Sequence, residues 1–519
     1  MARQKKGGIA RSAGVVAALT LLSRVLGLLR DAVLARQFDK RVTDAFFVAF
    51  TVPNIFRRLL AEGGLSSVFV KVFTDYRKNR GEDAARDLAA RTLSMALIGL
   101  LGVTALGILF APQLLYLFAG GFARNPQKMV LARDLTRLVF PFLVTVGLAA
   151  MAMAVLNSYR HFAAPAFAPV ILNVGIIAVV LLFAAKLPRW GMPSAWAIGF
   201  GVLIGGLLQL LVQLPLVARY KMLVRPRSPW GDEGVLRILR LLAPSLFALA
   251  IYQLNVMLAR LLASFLPGDG PVSFLYYAQR LIEFPIGVGA TAIATVAMPT
   301  WSAQVSTGDI DALKKSFGHV LRLVFFLMLP ATAGLMALAL PLTSVLFVRG
   351  RFSYAMARPT AWTLIGFCSG LWAAGGVRQV QQVFISLEDT RTPVKVSALA
   401  LVTFAAAGLL LYRPLGTLGL ALAVSLASSV NFVALIVLLR RRLGALGLRS
   451  VAISLLRSLV SAAACGLVAW LIARGGAWQA GASPANLLRL VWAVVAGGLA
   501  FVGCAWVLRS SELRTIRRR

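Results

Sequence analysis

The sequence predicts an all-α polytopic membrane protein of about fourteen transmembrane helices, laid out as two six-helix lobes around a central cavity plus a C-terminal helix pair. Three observations predict it. The 519 residues are 59% hydrophobic and only 14% charged, with a mean hydropathy of +0.82, a balance foreign to soluble globular domains. Apolar runs of about 20 residues, the length that crosses a hydrocarbon core as a helix, recur along the whole chain. They are too long, and alternate too little, for barrel strands. The third observation is where the basic residues lie. A formal net charge of +36 would suit a nucleic-acid binder, but the Lys and Arg residues are spread over connectors. With the N-terminus inside, inner connectors and termini carry roughly 28 of them and outer connectors roughly 13. That asymmetry sets orientation and excludes nucleic acid as the partner; contacts with anionic lipid headgroups are a second use of the same charge.

The spans follow in order. The first, Val15–Leu34, contains Arg24 and runs on into Arg30-Asp31 with no small-residue cleavage site, so it is a span and not a signal peptide. The second, Ala45–Val72, carries Pro53, Arg57 and Arg58. Four more are centred near Gly102, Val146, Ile176 and Leu207. The hydrophilic stretch Arg219–Arg240, with Pro226, Pro229 and Asp232-Glu233, then reads as a linker between lobes. Six spans follow, near Ala250, Thr291, Leu329, Cys368, Thr403 and Ser425. The basic break Arg440 to Arg449 sets off a last pair near Cys465 and Ala496. The plan is an N-lobe over 1–225, a C-lobe over 226–447 and a helix pair over 448–519. A weak repeat supports it: Ser158 to Pro165 and Ser386 to Pro393 both place Ser seven residues before Pro between spans.

Enzyme and metal signals are poor. Cys368, Cys465 and Cys504 all lie in apolar segments, an odd and scattered set that implies neither disulfides nor a metal site. Asp309-Ile-Asp311 precedes an amphipathic run and reads as a helix cap. Gly287-Val-Gly289-Ala-Thr-Ala292 reads as small residues for close helix packing. There is no Walker motif and no His/carboxylate cluster, so no cofactor is expected.

The buried cations carry the functional reading. A cation at bilayer depth costs roughly 2.5–3.5 kcal/mol and usually faces a protein interior or a wet cavity. Arg24 lies on the order of 14 Å from the inner end of its span, and Arg57 on the order of 20 Å from the outer end of the next. Arg280, on the order of 10 Å inside the eighth span, and Arg30, near its boundary, are shallower. Arg58 with Glu62 and Arg280 with Glu283 share helix faces at i,i+4 and i,i+3; Arg24 and Asp31 are seven apart. Asn54 stands one turn before Arg57, just after Pro53, whose kink frees backbone groups. Arg260 and Arg378 also interrupt apolar helices, while Asp31, Glu62, Glu283 and the boundary residue Asp44 are the few acids. Cations in excess point to an anionic ligand, and arginine's planar fork suits diphosphate. Asn173, Asn255, Gln279 and Gln379 either line a cavity or bond helix to helix.

Ser23-Arg-Val-Leu-Gly-Leu-Leu-Arg-Asp31, Thr43-Asp-Ala-Phe-Phe-Val-Ala-Phe50, Pro53-Asn-Ile-Phe-Arg-Arg58 with Ala61-Glu-Gly63, and Tyr276-Tyr-Ala-Gln-Arg-Leu-Ile-Glu-Phe-Pro285 strongly resemble the MurJ (MviN) lipid II flippases of the MOP exporter superfamily. Asp389-Thr-Arg-Thr-Pro393 fits as well. The resemblance implies two six-helix lobes forming a V around a cationic cavity. It implies movement of undecaprenyl-diphosphate-linked MurNAc-pentapeptide-GlcNAc between leaflets of the bacterial plasma membrane. By motif position it puts the cavity arginines on Arg24, Arg30, Arg57 and Arg280, and functional acids on Asp44 and Glu283. Lipid II and membrane lipids are the implied partners, with cell-wall synthesis proteins as possible further ones. The chain departs from the family in having Thr51 where lysine is frequent and Gln279 where an acid is. Ile238–Leu266 holds no acid, so sodium coupling is not expected. Two rivals stay open: another exporter of the superfamily, and a membrane enzyme of the same pathway.

Overall fold

The computed structural model describes residues 2–57 and 65–513, which are helical nearly throughout. Arg58 and Glu62 lie outside the described residues. The helices are α1 (Ala2–Gln37), α2 (Lys40–Arg57), α3 (Leu65–Leu109), α4 (Ala111–Ala119), α5 (Pro126–Val139), α6 (Phe142–Ser158), α7 (Ala163–Phe183), α8 (Trp196–Leu211), α9 (Leu214–Arg219) and α10 (Glu233–Ser264). There follow α11 (Pro271–Pro285), a π-helical turn Ile286–Thr291, α12 (Ala292–Ser306), α13 (Ile310–Ala337), α14 (Ala339–Phe347), α15 (Tyr354–Cys368), α16 (Leu371–Ser386), α17 (Arg391–Leu443), α18 (Leu448–Ala473) and α19 (Pro484–Val507). Among the described residues, nine helical stretches are long and apolar enough to cross a membrane. One of them holds two of the expected spans: α17 is kinked at Gly416 (φ 59°), between the span centres Thr403 and Ser425. Only glycine takes that backbone region without strain. The chain forms two compact units, Met1–Leu261 and Leu262–Arg519.

In the first unit, Phe69, Phe73 and Leu88 of α3 form a core with Met151, Val155 and Leu156 of α6 and with Val235 and Ile238 of α10. The expected linker is not loose. Arg91 on α3 donates to Asp87 at 2.7 Å and to the Ser228 carbonyl at 2.9 Å, Arg227 reaches the same Asp87, and Arg237 donates to Asp75 at 2.8 Å. Surface pairs of this kind are individually weak, and several together hold 225–237 against α3.

Helices α7 and α8 meet backbone to backbone. A Cβ on Gly205 would stand 2.8 Å from the Leu172 carbonyl oxygen, and one on Gly175 would stand 2.7 Å from Gly205 Cα. Without a hydrophobic drive between helices in lipid, such close approach supplies the packing that holds them. Gly205→Val is therefore expected to part α7 from α8 and to destabilise by about 1–3 kcal/mol, the usual cost of overpacking. Unchanged thermal melting in detergent would refute this.

In the second unit, α18 lies along α13, and the Phe326 ring packs tilted against Phe501 of α19 with ring centroids 4.8 Å apart. Asp309 caps α13, as its position suggests, by accepting from the Ala312 amide at 2.9 Å. Beyond α19, the buried carboxylate of Glu512 accepts from Ser510 and Ser511 and faces Arg322 of α13. Asp389 caps α17. Its carboxylate accepts from the Thr392 amide and hydroxyl at 3.0 and 2.8 Å and from Arg442 at 2.6 Å. Partial burial alone would raise its pKa; the Thr392 bonds and the Arg442 charge outweigh this and hold it below the ordinary value. A carboxyl with a lowered folded-state pKa stabilises the fold above the unfolded pKa of about 4 and loses that contribution as pH falls through the folded value. Asp389→Asn keeps an oxygen for the Thr392 amide but loses the charge that faces Arg442; it is expected to destabilise the fold at pH 7 by about 0.2–1 kcal/mol, with the deficit shrinking toward pH 3. A deficit that does not change with pH would refute the ionic part.

Candidate functional site

The site residues of the first unit sit on α1, α2 and α10. On α1, Arg30 is 8% exposed and Asp31 is wholly buried. Arg30 Nε and Nη2 both donate to Asp31 Oδ1, at 2.9 and 2.6 Å, and Nη1 donates to Asn173 Oδ1 at 3.1 Å. Asn173, on α7, is oriented by its own amide, which donates to the Pro169 carbonyl at 3.0 Å and the Ser23 carbonyl at 3.3 Å. The result is a polar bolt between α1 and α7. Asn173 thereby takes the helix-bonding role, and Asp31 is neutralised by its neighbour Arg30. Arg24, next to the Ser23 carbonyl, is half-buried. Depth counted along the helix ranks Arg24 as the more enclosed of the two; packing reverses that order, because α7 covers Arg30.

On α2, Arg57 and Asn54 are half-buried, and Arg57 Nε donates to Asn54 Oδ1 at 2.8 Å. The bond orients the guanidinium plane. Pro53 lies inside the helix one residue earlier. A turn and a half before it, the Phe47 carbonyl accepts from the Thr51 hydroxyl and from Arg260 Nη1 on α10. Arg260 therefore also pins α10 to α2, and Asn255 lies half-buried on the same helix. Asp44 is wholly buried and accepts from Lys128 Nζ of α5 at 2.7 Å.

In the second unit, Arg280 Nη1 donates to Glu283 Oε2 at 3.1 Å, with the two side chains 25% and 33% exposed. The pair is the one its i,i+3 spacing predicts. Gln279 is half-buried beside it. The π-helical turn begins three residues after Glu283, directly behind Pro285. Gln379 of α16 donates to the Ala290 carbonyl in that turn at 2.8 Å. Its neighbour Arg378 consequently faces the other way and is exposed. A Cβ on Gly289 would stand 2.4 Å from Met328 Cε, so the small residues there serve close packing.

Lys128 is the residue that sequence reading missed. A signal was present: α5 buries Lys128, Ala132, Leu135, Thr136 and Val139, a helical stripe that puts a lysine on the apolar face. Chemically, each unit offers a half-buried guanidinium group set one turn from the group that orients it, Arg57 by the Asn54 amide and Arg280 by the Glu283 carboxylate. Such groups bind phosphate oxygens two at a time. Among the described residues there is no group of three or more His, Cys, Asp or Glu that would hold a metal ion.

Comparisons with known proteins agree with one another. The family model described as "Lipid II flippase MurJ" matches residues 37–489. A Vibrio cholerae protein named "Probable lipid II flippase MurJ" is 36% identical over 430 residues, covering 80% of each chain. A Burkholderia cenocepacia protein named "Lipid II flippase MurJ" is 34% identical over 418 residues, again covering 80% of each. Among solved structures, one titled "Lipid II flippase MurJ, inward closed conformation" superposes with a TM-score of 0.78 at 22% identity, covering 95% of this chain and 98% of that one. An inward-facing multidrug-resistance MATE transporter of the MOP superfamily gives a TM-score of 0.69 at 15% identity, covering 84% and 99%. At those identities the two structures speak for the fold alone.

Proposed function

This chain belongs to the lipid II flippase MurJ family, and we propose that it moves lipid II from the inner to the outer leaflet of the bacterial plasma membrane by alternating access. The observation that carries the site assignment is arginine held half-buried on apolar helices, Arg24 and Arg57 in one unit and Arg280 in the other. Asp31 and Asp44 already have cations of their own in Arg30 and Lys128. In this reading Arg24, Arg57 and Arg280 clasp the diphosphate, Asn54 aims Arg57, and Arg30 holds α1 in place behind them. The glycopeptide occupies a wet cavity, and the polyprenyl tail stays in lipid along the last two spans. Both termini are cytoplasmic. Glu283 takes Arg280 back when the ligand leaves. An interior-negative potential favours outward movement of an anion by about 2.3 kcal/mol per charge per 100 mV. A drug-exporter reading needs acids for cationic substrates, and Asp31 and Asp44 are spoken for.

The test is depletion of the protein in its host, with outer-leaflet lipid II scored by an added enzyme that cleaves only exposed molecules. Loss of cleavage with total lipid II retained is expected. Undiminished cleavage in a host without a second flippase would overturn the proposal.

A further inference from the structure

The Lys128–Asp44 pair is placed where physical chemistry makes it expensive. Lys128 is 3% exposed and Asp44 wholly buried, and taking two ions out of water costs several kcal/mol each before their attraction repays it. A well-packed apolar pair is often as stable or more so. The lysine also sits in the first turn of α5, where the helix dipole disfavours a cation. Despite both costs it is supported from every side that contacts show. Asn125 caps the helix by accepting from the Lys128 amide at 3.2 Å, and Pro126 pre-sets its first turn. The Phe122 ring lies 4.2 Å beneath Nζ, a cation–π contact. Asp44 lies 84 residues away on α2, the helix that carries Asn54 and Arg57. A braced, buried and costly ion pair of this kind fixes the position of a charge, as preorganised sites require.

We propose that Lys128 is a positioning residue for transport, holding the Asp44 carboxylate at one fixed place on α2. The inference rests on the function proposed above, and it assigns to a lysine of α5 a part in the cycle played through Asp44. Stability is the bland alternative, and the two differ in what restoring the pair does.

The test uses the full chain. Lys128→Arg, Lys128→Met and the exchanged pair Asp44→Lys with Lys128→Asp are compared for melting temperature in detergent, for lipid II affinity and for lipid II exposure in a depleted host. Lys128→Arg is expected to keep exposure within about threefold of wild type, since it retains the cation. Lys128→Met should lower exposure at least about tenfold, with a lipid II Kd within about twofold, because the carboxylate loses its place while the arginines remain. The exchanged pair should recover the melting temperature but not exposure, because the carboxylate now stands on α5. Recovery of both by the exchanged pair, or wild-type exposure in Lys128→Met, would overturn the inference alone. If Lys128→Met does not fold, the exchanged pair decides. Wild-type protein that fails to restore exposure defeats both this inference and the function on which it rests.

Discussion

Alanine at Arg57 or Arg24 is expected to abolish lipid II exposure while the protein still accumulates in the membrane. Both side chains are half-buried, so their removal does not open a dry core. Asp31 keeps its bond to Arg30, and Asp44 its bond to Lys128, in either variant. What is lost is a bidentate donor. Hydrogen bonds to charged groups contribute about 1.5–3 kcal/mol each, so losing a two-bond clasp on diphosphate corresponds to roughly two orders of magnitude or more in binding. Lysine at Arg57 keeps the charge but not the fork, and loses the Nε–H that bonds Asn54; it should recover only a small part. The measurement is growth and lipid II exposure in a depleted host carrying each variant as the sole copy, with abundance by immunoblot. Unimpaired growth on Arg24→Ala would sink the clasp.

Arg30→Ala is expected to fail in a different way, by loss of folded protein. Its guanidinium is the donor to an Asp31 carboxylate with no exposed surface, and it also bonds Asn173. Removing one partner of a buried pair typically costs about 3–5 kcal/mol, because the remaining charge is left uncompensated. That is a large share of the roughly 5–15 kcal/mol that ordinarily separates folded from unfolded. The double variant Arg30→Ala with Asp31→Ala removes both charges and should recover much of the abundance. Its transport activity then tells whether Arg30 also touches substrate or only holds α1 to α7. Normal accumulation of Arg30→Ala alone would show that the bolt is not structural.

The contrast between these two variants shows where sequence reading works and where it stops. Arg280 with Glu283 and Arg57 with Asn54 are both i,i+3 pairs, and both form as spacing predicts. The Asp309 cap is equally local. The order of burial of Arg24 and Arg30 is not local: it depends on Asn173, 143 residues from Arg30. The stretch with Pro226 and Pro229 reads as a linker, and its sequence does not show that Arg227 and Arg91 meet on Asp87 and fasten it to α3. Charge pairs of that kind need coordinates that no window along the chain contains.

By itself, the sequence determined the membrane class, the helical character of its apolar segments, the neighbouring i,i+3 pairs and the motifs that belong to the family. Hydropathy, helical period and capping are properties of a few consecutive residues, and the bilayer leaves the backbone no alternative to internal hydrogen bonding. Tertiary structure alone decided which cations are neutralised. Lys128 answers Asp44 across 84 residues, and Arg260 reaches the Phe47 carbonyl across 213. The reason is that a buried charge is settled by whatever atoms packing brings within about 3 Å of it, and packing is set by the whole chain at once.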